Sequence, residues 1–238
     1  MYDRSEAAAA NDPFWSAIRA ELGYGPETLT RTDDPWPLWQ SGDLLLAQTC
    51  GLPYRVRLHG QVQLVGTPDY GLNGCAPGYY RSIFIARDPD ATLASLADHC
   101  FAYNEPLSQS GWAAPALHMA KQGLGFAALL QSGAHRASAL AVAEGRADFA
   151  ALDALSWQLI QTYDDFAADL HQIAATVPTP GLPLITALGN DPARLRAAII
   201  VAIDRLDPQT RDILHLRGLV EIPARDYLAM PTPPPPDA

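Results

Sequence analysis

The chain has 238 residues, of which 48% are hydrophobic and 18% are charged. A chain of this length can bury one large core or two cores of about 100 residues each. The formal net charge of −10, together with the lack of any run of five basic residues, disfavours nucleic acid or an anionic membrane as the main partner, because both require clustered Lys and Arg. An anion bound by this chain therefore has to be held by local donors such as helix N-termini and hydroxyl groups.

The sequence contains no pattern typical of export, membrane insertion or metal binding. It has no basic segment followed by an apolar stretch at its start, and no run of about 18 apolar residues anywhere. None of the three cysteines forms the close pair of a zinc or redox motif, and the histidines lack metal-ligand spacing. We therefore expect no export signal in this sequence, no membrane insertion, no metal and no other cofactor.

Short apolar runs separated by Pro and Gly predict many short elements. The first helix is expected over Asn11–Leu22, with Pro13 in its first turn, and the first three strands over Leu44–Cys50, Val62–Gly66 and Tyr80–Arg87. From Thr92 onward, strands alternate with helices of about ten residues, which is typical of crossover connections in a parallel sheet. The expected strands here are Cys100–Tyr103, Phe126–Leu130, Ala147–Leu152, His171–Thr176 and Leu184–Leu188, and the helices Thr92–Asp98, Gly111–Gln122, His135–Glu144, Leu155–Tyr163, Pro192–Leu206 and Gln209–Leu216.

The grouping of these elements predicts a domain inserted into another domain. One group lies before Arg87, a compact group follows it, and a last group comes after Pro178. We predict that residues 1–85 and 180–230 form the first lobe, that residues 86–179 form the inserted second lobe, and that the Pro-rich tail, 231–238, is disordered.

The loop after the predicted strand Cys100–Tyr103 has the composition of an anion site. It runs from Asn104 to Gly111 and includes Ser108 and Ser110, so that two hydroxyls and several backbone N–H groups lie at the start of a helix. The positive end of a helix dipole and its unpaired N–H groups suit an oxyanion without any Lys or Arg. The alternative is that Ser108 or Ser110 only caps the helix.

Two later strand-to-helix turns also carry polar side chains. His135 follows the strand that ends at Leu130, and Asp153 directly follows Leu152. Because ligands of open parallel sheets bind outside the carboxyl ends of the strands, we expect these turns and the serine loop to face one pocket. The alternatives are a structural or solvated histidine and an aspartate that caps a helix. A carboxylate beside an anion would select a ligand that brings a proton or an amino group.

At these positions the sequence resembles the phosphate, phosphite and phosphonate substrate-binding proteins of ABC transporters. The similarity extends over roughly residues 44 to 190 and lies in an ordered set of motifs. These are the loop ending Ser108-Gln109-Ser110-Gly111, the segments Ser132–Ser138 and Ala141–Asp148 followed by Asp153, and Thr179-Pro180-Gly181-Leu182-Pro183 before an apolar strand. Gln109 stands where the family has a threonine, and no second acid is found around Thr176.

The resemblance implies a type II periplasmic-binding-protein-like α/β fold, with mostly parallel sheets in two lobes and a ligand cleft between them. It implies that the ligand-binding residues are Ser108, Gln109, Ser110, Gly111 and His135, with Asp153 on the far side of the cleft and Tyr80, Gln48 and Thr49 lining the first lobe.

The function that we expect from these features is reversible binding of a small phosphate-like or phosphonate-like oxyanion, without chemistry performed on it. The family implies the periplasm and an ABC transporter permease as partner, while the lack of an export signal leaves a cytoplasmic location open. One alternative is a cytosolic sensory or regulatory module of the same fold. Another is an enzyme that uses Cys50 or Ser110 as nucleophile and His135 as base, which the absence of a Gly-x-Ser-x-Gly turn disfavours.

Overall fold

The computed structural model of the protein describes residues 2–236. Its internal contacts divide the chain into two compact units, which we call unit 1 (Met1–Gly78 and Pro180–Leu228) and unit 2 (Tyr79–Thr179 and Ala229–Ala238). The chain therefore leaves unit 1 after Gly78, returns at Pro180, and leaves it again after Leu228.

The lobe limits predicted from the sequence stay a prediction. Of the tail predicted to be disordered, the structure describes residues 231–236, which contain no helix or strand, while Asp237 and Ala238 lie outside the described residues.

Short helices and strands make up most of both units, and two segments adopt the wider π-helical hydrogen-bonding pattern. The α-helices are α1 (Ser5–Leu22), α2 (Trp36–Trp39), α3 (Gly51–Pro53), α4 (Leu93–Leu96), α5 (Ala114–Lys121), α6 (His135–Ala143), α7 (Ala154–Tyr163), α8 (Pro192–Asp204), α9 (Pro208–Leu214) and α10 (Ala224–Leu228). The strands are β1 (Ala47–Gln48), β2 (Val62–Asp69), β3 (Tyr79–Tyr80), β4 (Ser82–Ala86), β5 (Cys100–Tyr103), β6 (Ala128–Gln131), β7 (Phe149–Asp153), β8 (His171–Ala175), β9 (Thr179–Pro180), β10 (Leu184–Ala187) and β11 (Gly218–Val220). The π-helical segments are Tyr54–Leu58 and Gln109–Ala113, and Asp165–Asp169 forms a 3-10 helix.

Unit 1 is built on a four-stranded sheet in the order β1-β10-β2-β11. Each neighbouring pair in this sheet is antiparallel. Helices α1 and α8 bury their apolar faces against it, so that Trp15 and Ile18 of α1 pack in one cluster with Leu195 and Ile199 of α8 and with Val65 of β2. Burial of these large side chains is the main stabilising contribution to this unit.

Unit 2 contains a five-stranded sheet in the order β6-β5-β7-β4-β8. Strand β5 is parallel to both β6 and β7, whereas β4 is antiparallel to β7 and β8. Phe84, Phe101 and Phe149 are fully buried and form the centre of its core. Because β5, β6 and β7 run in the same direction, the turns that follow them lie at one edge of this sheet.

The structure confirms the predicted α/β fold class and the parallel pairing of the strands that precede the serine, histidine and aspartate turns. The sheet of unit 1 differs from the expected parallel arrangement. Its strands β10 and β11 return to the sheet after the chain has passed through unit 2, and they pair antiparallel to β2. The alternation of strands and helices along the sequence does not show whether a strand pairs parallel or antiparallel when the chain returns to a sheet.

The first helix begins earlier than its sequence pattern predicts. Helix α1 starts at Ser5, with Arg4 as its N-cap residue, and Pro13 lies inside it. The side chain of Asn11 donates to a carboxylate oxygen of Asp3 instead of capping the helix (2.8 Å). Burial of the alanine side chains in the first turns extends the apolar face of the helix beyond the proline.

Candidate functional site

The serine loop follows β5 and ends in the π-helical segment Gln109–Ala113. Ser108 is its N-cap residue, and its side-chain oxygen accepts a hydrogen bond from the Gly111 N–H at 2.9 Å. Ser108 therefore caps this helical segment, as one of the two interpretations of the loop predicted. The side chains of Gln109 and Ser110 are also buried. Since the first N–H groups of a helix have no partner within the helix, and π-helical turns are frequent at functional sites, this segment has the geometry of an anion-binding turn.

Gly111 is required by the close approach of Asn104. A Cβ atom at position 111 would lie 1.8 Å from Oδ1 of Asn104 and 3.1 Å from Oγ of Ser108. The Asn104 Oδ1 atom is buried and has no hydrogen-bond partner among the described residues. Only a residue without a side chain lets the backbone of this turn pack so closely on the loop.

His135 lies between Ser110 and Asp153. Its ring atom Nε2 is 3.0 Å from Oγ of Ser110 and 3.5 Å from Oδ2 of Asp153. His135 is the first residue of α6, and Asp153 is the last residue of β7, where its other carboxylate oxygen accepts from the Ser156 N–H at 2.9 Å and caps α7. The structure thus brings together residues from the three turns, and Asp153 is both a helix cap and a partner of the histidine.

Burial determines the protonation of His135. Its side chain is only 14% exposed and that of Asp153 only 4%. Desolvation lowers the pKa of His135, and the Asp153 carboxylate and the Ala151 backbone, which both raise it, do not compensate fully. Because the pKa of an unperturbed histidine is about 6.5 and burial lowers that of His135, this histidine is neutral at pH 7. The site therefore offers hydrogen-bond donors and acceptors and no positive charge from His135.

Sequence reasoning missed two polar residues of unit 2, Ser82 and Thr176. Ser82 is opposite Asp153 in the pairing of β4 with β7, so the two side chains project from the same face of the sheet. The Ser82 N–H donates to Oγ1 of Thr176 at 3.0 Å, while the Ser82 hydroxyl is buried without a hydrogen-bond partner among the described residues. The signal in the sequence was a serine near the start of the predicted strand Tyr80–Arg87, which in the structure begins only at Ser82. Tyr80 itself is buried at the end of β3.

Gln48 and Thr49 belong to unit 1 and differ in whether their side chains have hydrogen-bond partners. The Gln48 side-chain amide donates to the Tyr70 hydroxyl at 3.1 Å and to the Leu182 carbonyl at 3.2 Å, so that it holds β1 in place. The Thr49 hydroxyl is buried and has no hydrogen-bond partner among the described residues, although the Thr49 N–H donates to the Pro183 carbonyl. Thr49 precedes α3 and the π-helical segment Tyr54–Leu58, much as Ser108 precedes the other π-helical segment.

Two further properties concern metals and membranes. Across residues 2–236, the His, Cys, Asp and Glu side chains form no group of three or more that could hold a metal ion. In the same part of the chain, no helix has both the length and the apolar character needed to cross a membrane.

Comparison with solved structures shows the same fold in several binding proteins. PhnD1 from Prochlorococcus marinus, solved in complex with methylphosphonate, superposes with a TM-score of 0.76 at 16% identity, covering 93% of this chain and 89% of that chain. A binding protein component of an ABC phosphonate transporter from Pseudomonas aeruginosa gives a TM-score of 0.72 at 19% identity, covering 91% of this chain and 77% of that chain. A histidine kinase sensor domain with similarity to periplasmic binding proteins gives a TM-score of 0.54 at 17% identity, covering 90% of this chain and 87% of that chain.

No curated protein matches the chain by sequence. The sequence profile described as ABC transporter, phosphonate, periplasmic substrate-binding protein matches residues 1–227, which is most of the chain. This match confirms the resemblance inferred from the serine, histidine and aspartate motifs, and the solved structures confirm the type II periplasmic-binding-protein fold. The chain belongs to the phosphonate periplasmic substrate-binding protein family of ABC transporters.

Proposed function

We propose that the protein reversibly binds a small phosphonate-like or phosphate-like oxyanion, with Ser110 and His135 of unit 2 among its ligands, and delivers it to an ABC transporter permease. The observation that carries this proposal is the buried arrangement of Ser110, His135 and Asp153 at the edge of the unit 2 sheet. The family of the chain supports the transport role. Enclosure of the ligand by a second lobe stays a prediction.

The hydrogen-bond pattern of the histidine accounts for how a neutral site would hold an anion. The Nδ1 atom of His135 is buried without a hydrogen-bond partner among the described residues, whereas Nε2 faces both Ser110 and Asp153. We therefore assign the hydrogen of the neutral ring to Nε2. The Ser110 oxygen then accepts from the ring, and its own hydrogen is left to donate to a ligand oxygen. Backbone N–H groups at the start of the π-helical segment add donors. In a buried site these donors interact more strongly with an anion than they would in water.

The same pattern disfavours catalysis by Ser110. In a Ser-His-Asp relay, the serine and the aspartate contact opposite nitrogens of the ring, so that the ring takes the proton from the serine while the acid orients it. Here Ser110 and Asp153 approach the same atom, Nε2. The other candidate nucleophile, Cys50, is a buried cysteine of unit 1.

Calorimetric titration with methylphosphonate, phosphate, phosphite and sulfate tests the proposal. We expect one of the phosphorus oxyanions to bind, and Ser110→Ala and His135→Ala each to weaken it by about tenfold or more, because hydrogen bonds to charged groups contribute about 1.5–3 kcal/mol. His99→Ala is the matched control, since His99 is a half-exposed histidine of the same unit. Unchanged affinity in both site variants, or equal losses in the control, would reject these ligands.

The sensory alternative involves the same ligand chemistry and differs only in the partner. Reconstitution with the complete ABC transporter separates the two, because a transport component stimulates ATP hydrolysis by the transporter when it carries its ligand. Binding of the oxyanion without any such stimulation would favour the sensory role.

A further inference from the structure

The C-terminal tail packs against unit 2, although the helix before it belongs to unit 1. Helix α10 ends at Leu228, and the described residues that follow it, 229–236, group with unit 2. The tail has the sequence Met230-Pro231-Thr232 followed by four consecutive prolines. Consecutive prolines restrict the backbone to extended and polyproline II conformations, so little conformational entropy is lost when such a segment is ordered.

Burial along the tail repeats every third residue. Met230, Pro233 and Pro236 are half-buried, whereas the two residues between each of them are exposed. A polyproline II helix has three residues per turn, so positions i, i+3 and i+6 lie on one face. This burial period matches that of a polyproline II helix with one face against the rest of unit 2.

The tail is anchored to the serine loop by Trp112. The indole N–H of Trp112 donates to the Pro234 carbonyl at 2.9 Å. Trp112 is only 6% exposed, and its ring packs on those of Tyr103 and Phe126, with centroid distances of 5.4 and 5.7 Å. A buried indole N–H requires an acceptor, and here the tail supplies it.

Trp112 is two residues from Ser110 and lies in the same π-helical segment, Gln109–Ala113. A group that fixes the position of Trp112 therefore also fixes the backbone that presents Ser110. We propose that the tail is a strap that docks on Trp112 and positions the π-helical segment for ligand binding. Its effect on affinity rests on the proposed function, whereas its effect on the segment itself does not.

Deletion of residues 231–238 tests the strap with two independent readouts. In hydrogen exchange without ligand, we expect the amides of Gln109–Ala113 to exchange several-fold faster, while those of α8 in unit 1 stay unchanged. In calorimetry, we expect the oxyanion to bind about three- to tenfold more weakly, as loss of one positioning hydrogen bond implies. A synthetic peptide of residues 231–238, added in trans, is expected to restore both the slow exchange of these amides and the oxyanion affinity. Trp112→Phe keeps an aromatic ring but removes the N–H donor, and should accelerate exchange in the same segment.

The burial pattern offers a matched pair of variants in the full chain. Pro233→Asp places a charge on the packed face and is expected to act like the deletion. Pro235→Asp removes one proline and adds the same charge on the exposed face, and it is expected to change neither readout.

The possible outcomes separate the strap from the proposed function. Unchanged exchange of Gln109–Ala113 after deletion, or equal effects of Pro233→Asp and Pro235→Asp, would overturn the strap even if the full chain binds an oxyanion. Faster exchange in a protein that binds none of the oxyanions would support the strap and reject the binding function.

Discussion

Replacing Gly111 by alanine should disturb the serine loop directly, because the new methyl group would meet Asn104. The added Cβ would lie 1.8 Å from Oδ1 of Asn104 and 2.9 Å from its Cγ. Ordinary contacts of a carbon atom are about 3.5–4.0 Å, so one side has to move by more than about 1 Å. The Asn104 backbone cannot follow freely, since its carbonyl accepts from the Gly133 N–H at 2.9 Å.

The expected cost follows from overpacking. Forcing an extra methyl group into a packed site typically destabilises a protein by about 1–3 kcal/mol. The Asn104 Oδ1 atom has no hydrogen-bond partner among the described residues, so its displacement breaks no side-chain bond and the cost is steric. We therefore expect Gly111→Ala to lose about 1–3 kcal/mol of unfolding free energy. Displacement of the neighbouring Ser110 should weaken oxyanion binding as well.

Urea unfolding of Gly111→Ala, Asn104→Ala and the double variant measures the effect. Because Asn104→Ala removes the atom that clashes, the double variant should lose less stability than the sum of the single variants, with a coupling of about 1 kcal/mol or more. Gly125→Ala is the control, since a Cβ there meets nothing within 4 Å. Additive losses in the cycle, or a Gly111→Ala variant as stable as Gly125→Ala, would refute the reasoning.

Two further predictions concern His135 and Thr49. Burial lowers the pKa of His135 in the folded state, so the unfolded chain binds the proton more readily and the unfolding free energy should fall as the pH decreases below about 6.5. His135→Asn should make this fall shallower in urea titrations at pH 7.5 and pH 5.5, and an identical slope in both proteins would contradict it. The Thr49 hydroxyl is buried without a hydrogen-bond partner among the described residues, so Thr49→Val should leave stability unchanged or raise it by about 1 kcal/mol. If that hydroxyl binds ligand, calorimetry of Thr49→Val will show weaker oxyanion affinity; equal affinity would remove Thr49 from the site.

Local pattern was sufficient to predict the elements that carry the site in unit 2. Strand β5 was predicted to the residue as Cys100–Tyr103, and helix α6 was predicted to begin at His135. Both are short elements whose apolar residues are bounded by polar or Gly-containing turns. Because β5, β6 and β7 run in the same direction, the polar residues that follow them meet at one sheet edge, as the prediction required.

Other elements depended on distant partners. The predicted strand Leu44–Cys50 is reduced to Ala47–Gln48, because only these residues pair with β10. Strand β11 has three residues and forms only against the end of β2. Neither boundary is encoded in nearby residues, since a strand exists only where a neighbour accepts its hydrogen bonds.

The sequence by itself determined the family of the chain, its α/β class and the identity of the polar residues in the three turns, because residue type and spacing are local properties. Tertiary structure alone decided that Ser110 and Asp153 share one nitrogen of His135, that Ser82 lies beside Asp153, and that the tail docks on Trp112. Each of these contacts joins residues far apart in the chain, so it depends on how strands pair and helices pack around a common core.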